Sequence, residues 1–192
     1  MTTLALLWLP ILLSAVFVFV ASSVIHMMTP MHKSDYKKLP DETKVLEAMR
    51  SNKIEPGQYM FPGCTSMKDM GSAEMLAKYQ QGPVGSMIVR NNGMPSMGKC
   101  LGLWFLFCLG VSCFTAYLTG HGVDRGHGHF ATQDVFKVAF FAAVLGHSFT
   151  HFVDAIWKSL SWATTIKFLI DGLIYAVVTA ATFAWLWPAS AP

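Results

Sequence analysis

Charge is scarce in this chain. Only 13% of its 192 residues are Asp, Glu, Lys or Arg, about half the share of an ordinary soluble domain. The shortage is concentrated in long windows. Residues 4–27, 101–120 and 172–187 contain no charged side chain, and residues 135–157 contain only Lys137 and Asp154. A conventional soluble globule is thereby excluded. Each window has roughly the length needed to cross the hydrocarbon layer as a helix, and amides in lipid must be paired within their own helix. The expected fold is an all-α membrane protein, a bundle of four transmembrane helices.

Other absences narrow the reading further. No basic residue precedes Lys33, and the first apolar run exceeds the about 7–15 residues of a signal peptide core. It is read as a retained, signal-anchor-like first span. Cysteine occurs only at positions 64, 100, 108 and 113, without CxxC spacing, so neither a disulfide framework nor a cysteine zinc site is expected. No glycine-rich phosphate loop, nucleophile elbow or paired-carboxylate pattern is present. No catalytic residue is therefore assigned, and the balance is against an enzyme.

The positive charge that does exist is one-sided. Ten Lys and Arg residues fall between positions 28 and 99, and Lys158 and Lys167 flank the connection between spans three and four. The opposite side has Arg125 and Lys137. By the positive-inside bias, residues 28–99 face the cytoplasm, and both termini and the 121–134 loop face the other side. The net charge of +3 thus reports topology, and no nucleic-acid partner is expected.

Three segments are expected: transmembrane helix 1 over 1–27, a small cytoplasmic α+β insertion over 28–99, and transmembrane helices 2–4 over 100–192. Within the insertion, PDETKVLEAMR and SAEMLAKYQQG carry helix-start and helix-stop residues. QYMF and PVGSMIV are short strand candidates. Two short helices and two short strands bury little core of their own. Eleven of the twelve methionines fall between positions 27 and 97, three pairs with MxxM spacing, and HMMTPMH sets His26 and His32 beside the first pair. Thioethers and imidazoles suit copper(I); methionine also fills irregular cores.

The membrane histidines are the chemical question. His147 and His151, four apart, share a helix face, and Asp154 and Lys158 extend the stripe. Ionisable groups in a membrane span are costly and mark functional sites by default. His26, at the end of span one, approaches His151 and Asp154, with Lys167 and Asp171 near by. A His–His pair across two helices, such as His26 with His151, could hold haem, so His26, His147 and His151 are the candidate cofactor residues. A His–His–Asp group including Asp154 could hold copper or zinc. A relay through His147, His151 and Asp154 could move protons. Interhelical hydrogen bonds and a salt-bridge set of Asp154, Lys158, Lys167 and Asp171 need no ligand at all. The loop HGVDRGHGHF supplies a further metal set, His121, His127 and His129 with Asp124.

Small residues give a clearer packing signal. Gly172, Ala176, Ala180 and Ala184 recur every four positions in span four. Span three offers Ala139, Ala143 and Gly146, and span two Gly102 and Gly110. Such rows allow close helix approach in lipid.

HKSDY, YMFPG, SMKDM, GPVG and the C-terminal TTIKFLIDGLIYAVVTAATFAWLWP together resemble a family of small four-span bacterial inner-membrane proteins. The resemblance implies a bacterial source and the four-span layout, and carries no activity and no site residue. The expected function is that of a non-catalytic accessory or scaffold subunit of a larger bacterial membrane complex, respiratory or photosynthetic. Its partners would be the lipid bilayer and other integral membrane subunits, and no cofactor is expected. The alternative is a haem- or metal-binding membrane protein, redox-active or copper-handling, that uses the membrane histidines.

Overall fold

The computed structural model describes residues 4–123 and 131–188. They divide into two compact units: residues 36–95, and the remainder of the described chain.

The larger unit is a helix bundle. A 3₁₀ turn, Leu4–Leu7, leads into α1, Trp8–Met28. Pro10 falls in the first turn of α1, where its missing N–H costs no intrahelical bond. α4 is Met97–Val123, α5 Thr132–His147, α6 Thr150–Lys158 and α7 Trp162–Leu186. With α5 and α6 taken together, four helices are long and apolar enough to cross a membrane: Leu4–Met28, Met97–Val123, Thr132–Lys158 and Trp162–Leu186. Each packs on two neighbours, in the cyclic order α1, α4, α5, α7.

α7 is the most buried span, and its small residues explain why. Gly172, Ala176 and Ala180 are buried, and Ala184 is half-buried. Ala139 and Ala143 of α5 are fully buried, and α5 with α7 forms the most extensive helix contact. One core cluster gathers Leu7, Ala116, Val135, Ala180 and Phe183; a second gathers Ala15, Val18, Cys108 and Tyr175. The Ser14 hydroxyl hydrogen-bonds to that of Ser112 at 2.9 Å, joining α1 to α4. Gly102 and Gly110 face open space, so those two small positions of span two make no close approach.

The third span is broken, where a single stripe was expected. α5 ends at His147 and α6 starts at Thr150. Across the break the N–H groups of His151 and Phe152 bond to the carbonyls of Ser148 and Phe149, three residues back. Gly146 and Ser148 flank the break, a pairing that commonly kinks helices. Gly172 of α7 receives it: a Cβ there would collide with the Ser148 hydroxyl and lie 3.0 Å from the His147 carbonyl oxygen. His147 therefore belongs to one helix, and His151 and Asp154 to the next.

The smaller unit is the α+β insertion between the first and second spans. α2, Glu42–Ser51, is capped by Asp41, whose carboxylate accepts from the Lys44 N–H at 3.3 Å. α3, Ala73–Gln81, is capped by Ser72, which accepts from Met75 N–H at 3.2 Å. α3 stops at Gly82, at φ +63°, where glycine is favoured. β1, Gly57–Phe61, pairs antiparallel with β2, Gly85–Val89, in the register Gly57 to Val89 and Phe61 to Gly85. Met75 is its one buried hydrophobic residue.

Candidate functional site

The buried histidine and aspartate of the bundle, His147 and Asp171, lie toward the end where α1 finishes and α5 gives way to α6. The chain leaving α1 is turned back on itself. The Thr29 hydroxyl donates to the Ile25 carbonyl at 2.6 Å, and the N–H groups of Lys33 and Asp35 bond to the carbonyls of Pro30 and His32. These successive turns fold residues 29–35 toward α7, carrying His32 and Asp35 with them.

His26, His32 and Asp171 converge there, one donor atom from each lying within 4.8 Å of the others. Asp171 Oδ2 is 2.9 Å from His32 Nε2 and 3.9 Å from His26 Nε2. A tetrahedral ion with bonds of about 2.1 Å needs donors about 3.4 Å apart, so small side-chain adjustments would seat one. The far side of His32 is fixed. Its Nδ1 lies 2.6 Å from Asp35 Oδ2, and Lys167 Nζ lies 2.7 Å from Asp35 Oδ1 and 2.8 Å from the Ser34 hydroxyl. Burial pushes the Asp35 carboxyl up, but hydrogen bonds from Lys167 and His32 outweigh it and hold the group below the usual carboxylate range. An ionised Asp35 assigns the ring proton to His32 Nδ1. Nε2 faces Asp171.

The two ring nitrogens of His32 thus each face a carboxylate oxygen. Asp171 is 2% exposed. Its nearest polar neighbour is His32 Nε2 at 2.9 Å, a contact outside strict hydrogen-bond geometry, and among the described residues no other hydrogen-bond donor reaches either Asp171 oxygen. A buried carboxylate without a partner costs several kcal/mol. His26 Nε2, His32 Nε2 and Asp171 Oδ2 thus form a compact set of two imidazoles and a carboxylate, donor types that can bind zinc or iron(II). The second sphere has the form seen around metal-bound histidine, in which the outer ring nitrogen donates to a carboxylate.

Beside this cluster lies a cavity of about 660 Å³, walled by Trp104, Phe107, His147, Phe168 and Tyr175 among others. His26, His147 and His151, singled out from the sequence, all line it. They do not converge on one point: the ring of His151 stacks on Phe168 at 4.8 Å, while that of His147 stands 5.5 Å from Tyr175. Asp154 forms a half-exposed pair with Lys158 at 2.6 Å. The His121 ring lies tilted against Tyr117, centroids 4.2 Å apart, its Nδ1 2.8 Å from the Tyr117 carbonyl. Asp124, His127 and His129 lie outside the described residues.

His26 meets here not His151 but His32, which the sequence set beside it in HMMTPMH, and Asp171, which the sequence placed in a salt-bridge set. The signal was present but divided. HxxD links His32 to Asp35, and Lys167 and Asp171 are one helical turn apart. What joins the two motifs is the backward turn after α1, which no periodicity announces. Phe168, Asp171 and Tyr175 then share a face of α7 by the i, i+3, i+7 rule. Comparisons with protein-family models, curated proteins and solved structures found no match, so the four-span layout rests on the helices themselves.

Proposed function

We propose that this protein is a membrane metalloprotein that binds one divalent first-row transition-metal ion through His26, His32 and Asp171. The observation that carries the reading is the buried Asp171 carboxylate met only by two imidazoles, one of them oriented by Asp35 and Lys167. Two imidazoles and a carboxylate suit zinc or iron(II). Three protein donors leave coordination positions free for water or a ligand, as in metal sites that do chemistry.

The bias of Lys and Arg toward residues 28–99 and the 158–167 turn puts this end of the bundle on the cytoplasmic side. A bacterial inner membrane is the setting that the sequence resemblance implies. The small-residue row, one ground for expecting a scaffold subunit, is used within the chain at Gly172, Ala176 and Ala180 and so makes no demand for a partner.

The test is metal content. Protein purified in mild detergent is incubated separately with zinc(II) and anaerobic iron(II), desalted, and analysed by plasma mass spectrometry. Wild type should retain close to one ion per chain for at least one metal, and Asp171→Asn and His32→Ala less than a tenth of that. Loss of both metals from wild type on desalting, or equal retention in the variants, would overturn the reading.

A further inference from the structure

The cavity beside the metal cluster has features that a metal ion does not explain. Two of its lining side chains are buried and lack partners. His147 is 6% exposed with Nδ1 unbonded, and Tyr175 is 4% exposed with its hydroxyl unbonded. Buried polar atoms are nearly always satisfied, and each exception asks for a missing partner. Their rings are 5.5 Å apart and nearly perpendicular, and both residues line the same cavity. Trp104 cannot serve as that partner: its indole N–H already donates to the Ser22 hydroxyl at 2.8 Å. That bond fixes the indole as a wall, 5.9 Å from Tyr175 and 6.4 Å from His147.

The remaining surface is apolar, and its edge is formed by outward-facing residues. Met27, Met97 and Leu101 line the cavity and are exposed. They come from the ends of α1 and α4, helices whose outer faces suit lipid. A molecule entering between them would come from the bilayer, meet aromatic walls, and find His147 and Tyr175 among the buried lining residues. This order of surfaces fits a flat ring bearing an oxygen, with an apolar tail left toward the lipid.

We infer that the cavity binds a lipid-borne ring compound of the quinone or quinol class, its oxygen hydrogen-bonded by His147 Nδ1 and the Tyr175 hydroxyl. The cavity shares His26 and Asp171 with the metal cluster, but the inference rests on different atoms, His147 Nδ1 and the Tyr175 hydroxyl. A plain acyl chain would fill the volume but leave both polar atoms unsatisfied.

The experiment uses the full chain in detergent and a benzoquinone carrying one isoprenoid unit as probe, read by quenching of tryptophan fluorescence. Wild type should show saturable quenching. Trp104→Phe should remove most of the saturable part. Tyr175→Phe, which keeps the ring and the packing, and His147→Ala should each raise Kd at least ten-fold, as expected when a polar partner is withdrawn from a site built around it. The measurement is made on metal-loaded and chelator-treated protein, with metal content read separately, and saturation is expected in both. Quenching that rises linearly with probe and is equal in all variants would overturn the inference. So would a Kd unchanged in Tyr175→Phe together with displacement of the probe by oleate, which would mark an acyl-chain site.

Discussion

Gly172→Ala is expected to lower the thermal unfolding midpoint of the detergent-solubilised protein sharply, and more than a methyl group added at any other helical glycine of the bundle. In a helix interior that substitution ordinarily favours folding by about 1 kcal/mol. Here the new Cβ would run into the Ser148 hydroxyl and press on the His147 carbonyl, which is backbone and cannot rotate away. Overpacking of a filled contact costs about 1–3 kcal/mol, so the sign reverses. The series has internal controls. At Gly146 the added methyl would meet a side-chain atom, Val111 Cγ1, at 2.8 Å, and a rotamer change offers partial relief. Gly102 has nothing within 4 Å, and alanine there should be neutral or stabilising. The predicted order of midpoints is Gly102→Ala highest, Gly146→Ala next, Gly172→Ala lowest. Equal midpoints would mean that α7 does not sit against the α5–α6 break.

Asp35→Asn should weaken metal binding about 10–100-fold, the usual cost of removing an outer partner from a metal-bound histidine. The side chain keeps its size and its place in the turn, yet its charge is lost. His32 is then no longer held with its proton on Nδ1, and Lys167 loses its 2.7 Å ion pair. Competition with a chromophoric chelator measures the effect. Asp154→Asn is the matched control, because that carboxylate pairs with Lys158 in a half-exposed position; its metal affinity should equal that of wild type. A loss in Asp154→Asn as large as that in Asp35→Asn would indicate a general electrostatic effect in place of a specific outer shell.

The contrast between these two aspartates shows what the sequence made legible. Spans announce themselves by the absence of charge, and all four helices lie where those windows fall. The windows also mislead at their edges. The last uncharged window starts at residue 172, whereas α7 begins at Trp162, because Lys167 and Asp171 lie inside the helix, Lys167 paired with Asp35 and Asp171 facing His26 and His32. The insertion was readable from its caps, Asp41 and Ser72, and from its turns, since those signals are local. The site was only half readable. Spacing aligned His147, His151 and Asp154 on one ideal helix, but a break seated against Gly172 separates them. The partners of Asp171 lie more than 130 positions away in sequence, and nothing short of the folded turn at residues 29–35 brings them together.

The central claim is that His26, His32 and Asp171 form one metal centre. Cobalt(II), which replaces zinc or iron and reports its geometry through visible absorption, tests it most directly. Titration of apo-protein in detergent should give intense d–d bands of a four- or five-coordinate ion that saturate at one equivalent, fall to the level of solvated cobalt in His32→Ala and Asp171→Asn, and persist in His151→Ala. A wild-type spectrum no different from that of solvated cobalt, or bands that survive in Asp171→Asn and vanish in His151→Ala, would contradict the account.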